Sequence, residues 1–150
     1  MTADPPTDRP SPLHQRPAGV DSDTVAAVGK LTEALETVER ARGHLFTFHQ
    51  LTGSADLELE EAVGGLRDAG HHELADRIEQ ELIGRNVLPG RWTFQIIEEY
   101  DDGYYRVFHE LEQLTREQLV AGRRHLYEAE MKEARRTHGR PGHAARPESD

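Results

Sequence analysis

Four side chains with the chemistry of metal ligands recur at helical spacing in the second half of this chain: Glu98, Asp102, His109 and Glu112. Together with Tyr105 and Arg116 they step by four and three, so on a helix of about 100° per residue they stack along one side. Carboxylate and imidazole together suit Mn, Fe or Zn, and the row has the donors for one or two divalent cations. A solvated helix face supported by i,i+4 pairs has the same pattern, with His109 and Glu112 answered by Arg106 or Arg116. The sequence demands no cofactor; a divalent metal is the candidate.

A second group has the makings of a ligand site. Trp92 is the only Trp, and with Phe94 it follows the turn-forming pair Pro89-Gly90. Large aromatics usually bury, so these two either plug the end of a helical bundle or form one wall of a small pocket with Arg91 and Glu98 as its polar groups. Arg42 and His49 fall on an apolar seam farther upstream. Arg42 either snorkels to water or, with His49, faces the acidic groups downstream. The ligand-binding candidates are therefore Arg42, His49, Arg91, Trp92 and Tyr105.

Catalytic templates are missing. There is no G-x-S-x-G, phosphate-binding loop or dinucleotide glycine motif. Cysteine is absent, which removes thiolate chemistry and disulfides. His72-Glu73 is followed by Asp76 where a zincin needs its second His. The di-iron pattern Glu-x-x-His occurs only in reverse, as His109-x-x-Glu112 and His125-x-x-Glu128. No catalytic residue is nominated.

The elements that must carry these residues are helical. Asp21, Ser22 and Asp23 suit a helix start. Val28, Leu31, Leu35, Val38 and Leu45 then repeat at steps of three, four and seven, which predicts an amphipathic helix from about Ser22 to Leu51 stopping at Gly53. Ser54 or Asp56 caps a second helix with Leu59, Ala62, Val63 and Leu66 on one face, broken near Gly70 and resuming over His72 to Ile83. Arg85 to Arg91 is a turn. The last helix is expected from about Trp92 to Thr137, with Gly103 and Gly122 as places where it can bend. Its length of about 65 Å exceeds the ~45 Å of the first, so its end overhangs. Leu119, Val120, Leu126, Tyr127 and Met131 on that overhang imply a partner, most simply a second copy. On a straight wheel Ile97, Tyr100, Tyr104, Phe108 and Leu111 form its core arc.

Composition narrows the class. Of 150 residues, 31% are charged and only 35% hydrophobic, so narrow apolar stripes fit better than a large core. The net charge of -10 argues against a nucleic-acid partner, which needs clustered cations. Arg123-Arg124, Lys132, Arg135 and Arg136 form a basic C-terminal end that complements a helix dipole, or touches an acidic partner. No signal-peptide run or stretch of about 18 apolar residues occurs, so a cytoplasmic protein without a membrane segment is expected. The Pro-rich residues 1–20 and the Gly- and Pro-containing residues 139–150 are expected to be disordered tails around a helical domain at 21–138.

Two blocks, ELIGRNVLPGRWTFQIIEEYDDGYY and RRHLYEAEMKEARRTHGRPGH, resemble an uncharacterised family of small helical proteins from actinobacteria. The resemblance covers roughly the last 80 residues and the first helix loosely. It implies no activity and carries no functional residue over. Together these readings predict an all-α fold, an elongated antiparallel three-helix bundle with a broken middle helix and a very long C-terminal helix with coiled-coil character. The expected function is that of a non-enzymatic interaction or scaffold protein, self-associating through the last helix. The alternatives are a metal- or small-ligand-binding bundle and a regulatory protein touching nucleic acid through its basic end.

Overall fold

The computed structural model describes residues 8–147; the outer parts of both expected tails, 1–7 and 148–150, lie outside them. The described chain is all-α, its only non-helical pairing being an isolated antiparallel bridge between Leu88 and Arg91. It divides into two compact units. One holds the described residues up to Glu36 and those from Phe108 onward, the other Thr37–Val107.

The first helix, α1, runs Ser22–Asp68. Asp21 caps it: its Oδ1 accepts the Thr24 amide at 2.7 Å, and the Thr24 side chain, followed by this amide, holds the Asp21 carboxyl below its ordinary range. The expected stop at Gly53 does not occur. Glycine ends a helix reliably only when it takes the left-handed conformation at the C-terminal cap, and Gly53 has ordinary helical backbone. Asp56, expected as a cap, instead lies within α1 and accepts the Gly84 amide at 2.9 Å. The true end comes at Gly70, where φ is +87°. There the His71 amide donates to Leu66 O and the Gly70 amide to Arg67 O, a Schellman arrangement. The break read near Gly70 is therefore present, but the segment before it belongs to α1.

In the Thr37–Val107 unit, α2 covers His72–Glu81. Ala75 of α2 and Val63 of α1 are buried, and Arg67 pairs with both Asp76 and Glu79. The expected turn follows, with Gly90 at φ +75° after Pro89 as a type II turn requires. Helix α3, Thr93–Tyr100, passes directly into a π-turn at Asp101–Tyr105 and then into α4, Arg106–Val120.

The very long C-terminal helix is not found. Ala121, Gly122 and His125 all have positive φ, and α5 starts afresh at Leu126–Arg135. The Arg116 guanidinium donates to Gly122 O at 3.0 Å and the Gly122 amide to Arg116 O at 2.8 Å, closing the end of α4. The expected overhang is thereby removed. Leu126 packs with Val25, Val28 and Val120 in the small core of its own unit.

The inner parts of the expected tails also carry structure. Arg16 clasps Glu130 of α5 through two bonds at 2.7 and 2.9 Å. Arg136, itself buried, is held by Glu133 and by Asp8. Proline-rich composition did not keep this segment from docking, because its Arg and Asp side chains find charged partners on α5. No described helix is long and apolar enough to cross a membrane.

Candidate functional site

The π-turn decides which residues of the last helical run face inward. It gives one turn an extra residue, so everything after it is rotated by about 100° from the straight wheel. Ile97, Asp101, Tyr105, Phe108 and Glu112 are among the residues of this run that are buried or half-buried. Tyr104 and Leu111, assigned to the core on a straight wheel, are 60% and 54% exposed, while Glu112 is 3% exposed.

Within the Thr37–Val107 unit the turn builds a polar clamp. Arg42 Nε and Nη2 donate to Asp101 Oδ1 and Oδ2 at 2.7 and 2.9 Å. The guanidinium lies 4.9 Å from the ring centroids of both Phe46 and Tyr105. The Tyr105 hydroxyl donates to Glu39 Oε1 at 2.6 Å. The bond from Arg42 pulls the Asp101 carboxyl below its ordinary range, and the bond to Glu39 pushes the Tyr105 phenol above its own. Arg42, in turn, is shifted upward by Asp101. Arg42 and Tyr105, nominated from sequence, thus come together, with their valences turned on each other and on Asp101 and Glu39. Neither of those two acids stood out in the sequence, because on a straight helix Asp102 occupies the row.

His49 Nδ1 lies 2.7 Å from the hydroxyl of buried Thr93. Arg91 pairs with Glu99 at 2.8 Å, not with Glu98. Glu98, Asp102 and His109 are exposed. Glu112 accepts from Arg116 Nε at 2.7 Å and lies 3.0 Å from Thr32 Oγ1, so its carboxylate closes a link from α4 to α1 within its own unit. The row is therefore split: Glu98 and Asp102 belong to one unit, and His109 and Glu112 to the other. Among the described residues, the group whose ligand atoms lie mutually within 4.8 Å is Glu36, His125 and Glu128, which contains no member of the row. Its His125-x-x-Glu128 pair is visible in the sequence; Glu36, from a distant helix, is not.

Trp92 does form a wall. Its indole Nε1 donates to Gly84 O at 3.3 Å, and the ring borders an open groove of about 610 Å³. Leu57 and Leu59 of α1, Leu82 and Val87 supply most of the remaining apolar lining. The groove's cation is Arg85 rather than Arg91. The basic C-terminal end is largely engaged within its own unit: Arg123 donates to Gln15 O, Lys132 to Ala145 O, and Arg136 to Asp8 and Glu133.

Comparison with known proteins returned nothing. No protein-family model, curated protein or solved structure matches this chain. The site must be read from its own chemistry.

Proposed function

We propose that this protein is a non-enzymatic interaction module that pairs with a second copy of itself through α4. One observation carries the reading: α4 buries a carboxylate, Glu112, and turns Val107, Leu111 and Leu114 outward, each between 45% and 54% exposed. These three fall at steps of four and three, the spacing of a coiled-coil seam. A helix that gives part of its inward face to an ion pair beside buried Val120 and keeps its leucines outside leaves apolar area for another chain to cover. A like helix offers the matching row. The C-terminal half of the chain remains the surface for self-association, but the residues differ from those of an overhanging end. On sequence grounds we place it in the cytoplasm, and its resemblance is to small helical actinobacterial proteins.

Light scattering over a range of concentrations tests this. The expected result is a mass rising from monomer to dimer, and a Leu111→Glu, Leu114→Glu variant that stays monomeric with unchanged helical circular dichroism. A wild-type monomer at the highest concentration would remove the reading.

A further inference from the structure

We propose that the groove beside Trp92 binds a small amphiphilic anion, its apolar body against Leu57, Leu82, Val87 and Trp92 and its anionic group on Arg85. The groove's volume of about 610 Å³ lies within the range of small-molecule sites, which are mostly apolar with a few placed polar groups. It is formed by four stretches of one unit: the middle of α1, the end of α2, the following turn and the start of α3. That makes a short concavity rather than the long strip a partner helix would need; the strip in this chain is on α4.

Charge identifies the head group. The protein carries a net charge of -10, and Arg42, Arg67, Arg77 and Arg91 of the same unit each pair with a carboxylate. The Arg85 guanidinium donates one bond, to the Glu81 backbone carbonyl at 3.3 Å, and makes no ion pair among the described residues. The groove's own carboxylate, Asp56, is turned onto the Gly84 amide. A guanidinium left without a carboxylate, at the rim of an apolar groove in an acidic chain, favours an incoming carboxylate, sulfonate or phosphate. The exposed leucine side chains recover water-exposed area only when an aliphatic or aromatic body covers them.

The position of the single Trp makes the test direct. Decanoate, kept below its micellar concentration, is titrated into the full-length protein while Trp92 emission and calorimetric heat are followed. The expected result is a saturable one-to-one change in both. Arg85→Gln weakens decanoate about tenfold, the worth of one charge-assisted contact at a partly exposed rim, and leaves 1-decanol within about twofold. Arg77→Gln, a cation away from the groove, leaves both unchanged. Leu57→Asn weakens both ligands, with folding checked by circular dichroism. No saturable signal, or equal losses for decanoate in the Arg85 and Arg77 variants, would overturn the proposal. So would a concentration-dependent shift in Trp92 emission without ligand, because a second copy would then occupy the groove. A monomeric wild type that binds decanoate leaves the groove intact and removes only the dimer.

Discussion

Arg42 and Asp101 meet as a two-pronged ion pair where the chain enters the π-turn Asp101–Tyr105. The Asp101 carboxylate lies opposite Arg42, and the Tyr105 ring lies along the guanidinium. The wider turn gives up regular α-helical hydrogen bonding, and the clamp offsets that loss.

Replacing Arg42 by Lys should therefore destabilise the protein by about 1–2 kcal/mol, between the value of an exposed ion pair and that of a hydrogen bond to a charged group. Lys cannot reproduce the fork or the stacking on Phe46 and Tyr105. Urea denaturation measures the effect. An unchanged midpoint would show that the clamp contributes nothing.

The two shifted groups of the clamp predict opposite limbs of a pH profile. Folded Asp101 holds its proton less tightly than it does in the unfolded chain, owing first to Arg42. Its stabilisation is full above about pH 4 and is lost as pH falls through the lowered folded value. Folded Tyr105 holds its proton more tightly, owing first to Glu39. Its contribution is full below about pH 10 and is lost as pH rises through the raised folded value. The stability advantage over Asp101→Asn should shrink in acid and that over Tyr105→Phe in strong alkali. Parallel profiles for wild type and variants would contradict both.

Removing the Glu112 side chain should be costly. Glu112→Ala leaves the Arg116 guanidinium, 16% exposed, without its carboxylate, and is expected to cost about 3–5 kcal/mol. The double change Glu112→Leu, Arg116→Met removes both charges together and should recover most of that loss, since well-packed apolar replacements of buried ion pairs are often neutral. Thermal unfolding of the single and double variants decides it. A double variant as unstable as Glu112→Ala would mean that packing, not the charge pair, governs the site.

The break between α4 and α5 gives a pair of substitutions with opposite signs. Ala121 carries a φ of 55°, which costs an L-residue about 1 kcal/mol relative to glycine. Ala121→Gly should stabilise by up to about 1 kcal/mol, and Gly122→Ala, at φ +71°, should destabilise by about as much. The same direction for both in chemical denaturation would be incompatible with a left-handed break here.

By itself the sequence determined the helical class, the start of α1 at Asp21, the turn at Pro89-Gly90 and a break near Gly70, though not that the first helix runs on to it. Each follows from local rules: side-chain capping, fixed proline geometry and the freedom of glycine at positive φ. It also determined that the core would be small, because only 35% of the residues are hydrophobic. It brought forward Arg42, Tyr105 and Trp92, which do line the clamp and the groove. Only the tertiary structure decided the phase of the last helical run. A π-turn has no reliable local signature, yet Glu112 rather than Leu111 takes the inward position after it. The break after Val120 showed in the sequence only as a place to bend at Gly122, since Ala121 and His125 are not residues that announce a left-handed backbone. The clamp's other half, Glu39, and the groove's walls, Leu57 and Leu82, come from helices far away in sequence. Their meeting depends on packing, which no local spacing encodes.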